Sequence, residues 1–112
     1  SPAPLENISL IIASLDIGKY ICAVASGRDV EEGKPSPQIF LLAADKMGLK
    51  PSDCIVIEDA VAGVQGAKNA GMGCIGVTNT HPAESLSEAD LVVNSLNEVG
   101  IEQLNNLFNA TR

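Results

Sequence analysis

The chain has 112 residues, 46% of them hydrophobic, with a formal net charge of −7 and a pI near 4.4. That length suits one globular domain burying roughly 60–70% of its unfolded surface. The acidity, with one Tyr, two Phe and no Trp to stack bases, argues against nucleic-acid binding. No run approaches the ~18 apolar residues of a membrane span, and no basic-then-apolar leader opens the chain, so the cytoplasm is the expected compartment.

From the N-terminus, Leu5, Ile8, Ile11, Ile12 and Leu15 recur at helical spacing, which predicts a helix over 4–15 with Gly18 as its left-handed cap. Ile21-Cys22-Ala23-Val24-Ala25 is a short continuous apolar run, as in strands buried on both faces. A loop with Gly27, Gly33 and Pro35 follows. Ser36 then fits an N-cap and Pro37 the first helical residue. Ile39, Leu42, Ala43 and Met47 form the apolar stripe of that helix, which Gly48 ends.

The turn Lys50-Pro51-Ser52-Asp53 leads into a buried strand from Cys54 to Ile57, with Glu58 and Asp59 at its carboxyl end. A helix over about 60–70 is built from small residues (Ala60, Ala62, Gly63, Gly66, Ala67, Ala70) and can approach a sheet closely. Gly71 is placed to cap it, and Cys74-Ile75-Gly76-Val77-Thr78 reads as the next strand. The segment 79–88 is polar and turn-like, and Leu91-Val92-Val93 is a short last strand. Ser95 and Glu98 stand at capping-box spacing before a final helix whose buried side is Leu96, Val99, Leu104 and Leu107.

Strands alternating with helices predict an α/β, Rossmann-like, doubly wound and mostly parallel sheet in one domain over 1–112. Cys22, Cys54 and Cys74 each open an apolar run without C-x-x-C spacing, so all three read as buried, reduced thiols. His81, before Pro82, reads as an exposed loop residue.

In open α/β sheets ligands bind beyond the carboxyl ends of the strands. Glu58 and Asp59 occupy such an end, where two carboxylates could hold Mg²⁺, a hard ion that prefers oxygen. Asp59 is equally placed to cap the following helix. Lys34, between Gly33 and Pro35, lies about 24 residues earlier in a loop stiffened by its neighbours. Its ammonium could neutralise a carboxylate and a bound phosphoryl group, or be a solvated lysine beside Glu31 and Glu32. The ordered combination is more specific than either part.

Gly33-Lys34-Pro35-Ser36-Pro37, Ile57-Glu58-Asp59-Ala60, Ala62-Gly63 and Ala70-Gly71-Met72 resemble the lysine and acidic motifs of the haloacid dehalogenase superfamily, in its β-phosphoglucomutase-like phosphatase branch. The resemblance extends from Ser1-Pro2-Ala3-Pro4-Leu5-Glu6-Asn7 through Leu91-Val92-Val93. It implies that Lys34 stabilises an aspartyl-phosphate and its nucleophile, and that Asp59 and Glu58 ligate Mg²⁺. By the same resemblance Ser1 matches the Ser/Thr that hydrogen-bonds the transferring phosphoryl group, unless it is simply a chain end.

The family's D-x-D-G-T/V nucleophile motif has no counterpart in this sequence, and Asp16 does not replace it by context. The resemblance therefore implies an incomplete core, with the first strand and the helical cap domain absent. Such a chain is expected to be inactive alone, and to belong to an enzyme acting on small phosphorylated metabolites, chiefly sugar phosphates. The missing strands are expected to separate the Ile21 strand from the Cys54 strand or to make them pair directly, leaving apolar edges prone to self-association. A non-catalytic remnant or interaction module is the alternative. A phospho-acceptor receiver domain fits less well, because its lysine follows the acids in the chain.

Overall fold

The computed structural model describes residues 8–16, 19–26, 32–79 and 81–111. Five strands form one sheet in the order β2-β1-β3-β4-β5: β1 Ile8–Asp16, β2 Lys19–Ser26, β3 Cys54–Glu58, β4 Gly73–Val77 and β5 Leu91–Val93. Helices α1 Gln38–Met47, α2 Val61–Asn69 and α3 Ile101–Thr111 complete the fold. Among the described residues, no helix is long and apolar enough to cross a membrane.

The helices lie on both faces of the sheet, as the doubly wound pattern requires. One core cluster joins Ile11, Ala13, Val56 and Cys74 to Ile39 and Phe40 of α1 and Val64 and Ala67 of α2. The other joins Ile12, Ile55, Ile75 and Val77 to Leu104 and Phe108 of α3. Tyr20 stacks on Phe108, with ring centroids 5.4 Å apart.

β3, β4 and β5 run parallel, whereas β1 pairs antiparallel with both β2 and β3. The sheet is thus mixed, and its N-terminal half departs from the expected parallel arrangement. The helix expected over 4–15 is replaced by β1 within the described residues; Gly18 lies outside them. Ile8-Ser9-Leu10-Ile11-Ile12-Ala13 is rich in β-branched residues, which favour strands. Its Ile11 and Ala13 enter one core and Ile12 the other, while Leu15, which a helical stripe would bury, is 54% exposed. An apolar run of this length is ambiguous by periodicity, and burial on both faces decides it.

β1 also answers how the Ile21 and Cys54 strands relate: they are separated rather than directly paired, and β1 lies between them. β2 is an edge strand, not one buried on both faces, and it exposes Ile21, Cys22 and Val24. Its antiparallel pairing to β1 is extensive, from Ile8↔Ser26 to Asp16↔Lys19.

Local signals elsewhere act as the sequence predicts. Gly48 and Gly71 adopt positive φ (70° and 78°) after α1 and α2, the left-handed geometry that glycine accepts without penalty. The Ser36 hydroxyl accepts from the Gln38 N–H at 3.3 Å, but α1 begins one residue later than expected, with Pro37 and not Ser36 at its N-cap. The Ser95–Glu98 capping box forms, but it caps a short 3₁₀ turn, Leu96–Glu98. The α-helix restarts at Ile101 after Gly100, and Leu96 is 44% exposed.

The three thiols differ. Cys22 is exposed on the edge strand, contrary to the expected burial, while Cys54 and Cys74 are buried. Burial pushes the Cys54 thiol up to about 11, helped by the charge of Asp53, and the Cys74 thiol up to about 12, helped by Glu58. A thiol-specific disulfide reagent is expected to modify Cys22 quickly and the other two only on unfolding. Both buried groups ionise later in the folded than in the unfolded chain, so the unfolded state sheds protons first. Stability should therefore fall as pH rises above 9.0, the ordinary thiol value, checked by urea denaturation at pH 8 and pH 10.

Candidate active site

β3 ends at Glu58, and the chain turns directly into α2 at Val61. Strand geometry sends successive side chains to opposite faces. The Glu58 carboxylate goes to the α1–α2 side, where Oε2 meets the Lys34 Nζ at 2.9 Å. Both side chains are almost fully buried, 4% exposed for Lys34 and 5% for Glu58. The lysine and the first acid of the pair, 24 positions apart, thus meet in an ion pair.

Three neighbours fix this pair. Ser9 on β1 is buried, and its hydroxyl donates to Glu58 Oε2 at 2.7 Å while accepting from the Lys34 ammonium. The same ammonium sits 5.6 Å from the centre of the Phe40 ring, close enough for a cation–π attraction. Gly63 in the first turn of α2 leaves the space that Glu58 occupies: a Cβ there would lie 2.0 Å from Glu58 Cδ. The lysine loop is tied to α2, since Asn69 Nδ2 donates to the Pro35 carbonyl at 3.1 Å. Ser36 N–H closes the turn on the Gly33 carbonyl at 3.0 Å.

Asp59 follows Glu58 directly. It lines an open cleft of about 260 Å³ with Leu10, Ile57, Glu58, Val77, Asn79 and Leu96. Ile57 and Val77 belong to the α3-side cluster, so the cleft opens at the carboxyl ends of β3 and β4. That is where ligands enter open α/β sheets. The Asp59 carbonyl accepts from Nδ1 of His81 at 3.1 Å, which places the ring proton on that nitrogen. His81 is therefore half-buried beside the site rather than exposed, a proximity that the polar segment 79–88 did not announce in sequence.

Mg²⁺ asks for oxygen ligands, and one or two carboxylates suffice when waters and a substrate phosphate complete its shell. Glu58 Oε2 is already held by Lys34 and Ser9. Among the described residues no group of three or more His, Cys, Asp or Glu converges. Glu58 and Asp59 both line the cleft, and acidic oxygens of this kind fit a partly hydrated Mg²⁺.

Ser1 lies outside the described residues. Asp16 is at the far end of β1, beyond the Ala13↔Cys54 pairing and hence at the opposite end of β3 from Glu58. A second clamp invisible in the sequence joins Asp90 to β4. Its carboxylate accepts from Lys68 Nζ at 2.8 Å and from the Cys74 N–H at 2.8 Å.

Comparison with known proteins gives this geometry a family. Residues 3–71 match the model of haloacid dehalogenase-like hydrolases. The validoxylamine A 7'-phosphate phosphatase of Streptomyces hygroscopicus subsp. limoneus is 48% identical over 96 residues, covering 86% of this chain and 45% of that protein. The phosphoglycolate phosphatase of Salmonella typhimurium is 35% identical over 99 residues, covering 86% and 39%. The β-phosphoglucomutase structure from Clostridium difficile aligns with TM-score 0.68 at 37% identity over 77% of this chain and 37% of that one. The chain spans less than half the length of these relatives. On its sequence motifs and its fold alike, the chain belongs to the haloacid dehalogenase-like hydrolases.

Proposed function

We propose that this chain forms the lysine-and-acid side of a phosphoryl-transfer site, in a phosphatase or phosphomutase acting on small phosphorylated metabolites, with sugar phosphates as the leading class. The observation that carries the reading is the buried Lys34–Glu58 pair, 2.9 Å apart at the end of β3, adjoining the cleft that Asp59 lines. Names of relatives, a validoxylamine A 7'-phosphate phosphatase, a phosphoglycolate phosphatase and a β-phosphoglucomutase, support small phosphorylated metabolites as the substrate class. The reduced, buried Cys54 and Cys74 suit a cytoplasmic setting.

Phosphoryl transfer rests on positioning and on neutralising charge. Lys34 supplies a fixed positive charge, Glu58 holds it in place, and Asp59 lines the adjoining cleft. Mg²⁺, when bound by Asp59, supplies further neutralisation of phosphate oxygens. Covalent transfer additionally needs a nucleophile, and no D-x-D segment occurs in this sequence.

The purified chain with Mg²⁺ is expected to release no phosphate from p-nitrophenyl phosphate or a panel of sugar phosphates above the protein-free rate. Turnover that disappears on Asp59→Ala would overturn this. In a product of the same gene that also carries a D-x-D-G segment, Asp59→Asn should lower turnover by about 10²-fold or more with the fold intact by circular dichroism.

The near-complete burial of Lys34 and Glu58 favours one second reading, a non-catalytic interaction module retaining the family fold. A Mg²⁺ titration separates the two: chemical-shift changes centred on Asp59 support the phosphoryl site, and their absence supports the module.

A further inference from the structure

Lys34 carries three ammonium protons, and the structure accounts for their surroundings: Glu58 Oε2, the Ser9 oxygen and the face of Phe40. Ser9 is the member that belongs to neither sequence motif. It reaches the pair from β1, 49 positions from Glu58, and is 2% exposed. Its hydroxyl is used in both senses, donating to the carboxylate and accepting from the ammonium. This burial keeps Ser9 from substrate and excludes it as a nucleophile.

We infer that Ser9 is a positioning residue for Lys34, acting through the ammonium and not by touching the phosphoryl group; the assignment rests on the phosphoryl-site reading above. An ion pair alone sets a distance between two charges. A third partner hydrogen-bonded to both sets the direction in which the lysine is held. A Ser contributes that dipole without adding a charge to a buried, already neutral pair. β1 holds Ser9 there through pairing on both sides, with Ser9↔Ala25 toward β2 and the neighbouring Leu10↔Ile57 toward β3.

The test uses the whole chain with ¹⁵N-labelled lysine. Ammonium groups that are held and shielded give resolved ¹H–¹⁵N resonances with slow proton exchange, a property that overall stability does not supply by itself. Lys34 is assigned by its loss in Lys34→Met, or by contacts to Phe40 if that variant does not fold. Ser9→Ala is expected to speed Lys34 ammonium exchange by about tenfold or more, the loss of one hydrogen bond to a charged group. Ser9→Thr, which keeps the hydroxyl, should restore slow exchange.

Ser14→Ala is the control, because Ser14 is also buried on β1 but on the opposite face of that strand. Exchange in Ser9→Ala that matches Ser14→Ala overturns the assignment. If Ser9→Thr proves too large to fold, Ser9→Cys takes its place, and exchange in Ser9→Cys as fast as in Ser9→Ala, with Ser14→Ala as slow as wild type, supports a requirement for the hydroxyl. Ser9-dependent exchange, together with absence of turnover in any D-x-D-G-bearing product, overturns the phosphoryl-site reading alone.

Discussion

Lys34→Met is expected to destabilise the chain by about 3–5 kcal/mol, because it leaves the Glu58 carboxylate buried without its counter-charge. The physical reason lies in burial. Two charges 2.9 Å apart and 4% and 5% exposed have given up most of their hydration, and each tolerates that only because of the other. Glu58→Gln should cost a similar amount from the opposite side, stranding an ammonium that keeps only Ser9 and the Phe40 ring as partners. Against a total stability of about 5–15 kcal/mol for a domain of this size, either change moves a urea midpoint far toward zero. Exposed pairs behave differently. Lys68–Asp90, with side chains 33% and 28% exposed, is expected to contribute under about 1 kcal/mol through its charges.

Gly63→Ala is the second large effect. The added Cβ would lie 2.0 Å from Glu58 Cδ and 2.3 Å from Oε2, inside any real contact distance. A carboxylate at the end of a free side chain would swing away. This one is held by Lys34 and Ser9, so relief requires breaking the pair or shifting the start of α2. The expected loss is about 1–3 kcal/mol from overpacking, measured by chemical denaturation. In a Glu58→Ala background the clash is gone, and Gly63→Ala should become neutral or slightly stabilising through helix propensity. Equal penalties in both backgrounds would contradict the steric account.

These two effects explain why the candidate site was partly legible from residues alone. Lys34 and Glu58 are distant in sequence, but each sits at a turn that strand–helix alternation fixes: a loop after one strand, the carboxyl end of another. Gly63 belonged visibly to a small-residue helix able to approach a sheet. Glu58 and Asp59 both line the cleft at the end of β3, and Glu58 is in addition paired with Lys34.

The rest was hidden for physical reasons. Ser9 leaves no local trace, since its partners are supplied by a loop and a strand far along the chain. The segment around it was misread because Ile8, Ile11, Ile12 and Leu15 satisfy a helical stripe while the same run, buried on both faces, satisfies a central strand. Tertiary placement between β2 and β3 selects the strand. Cys22 resembled its two buried counterparts in local context, yet it lies on an edge that sequence does not mark. The Ser95–Glu98 box was correctly recognised as a cap, whereas the interruption at Gly100 shortened what it caps to a single turn.

The most direct measurement of the central claim, that Lys34 and Glu58 form one buried unit, is a double-mutant cycle of Lys34→Met and Glu58→Gln by urea denaturation. The double variant removes both charges, so it should recover much of the loss, giving a coupling energy of about 2–3 kcal/mol. A coupling below about 0.5 kcal/mol, with the two single losses simply adding, would contradict it.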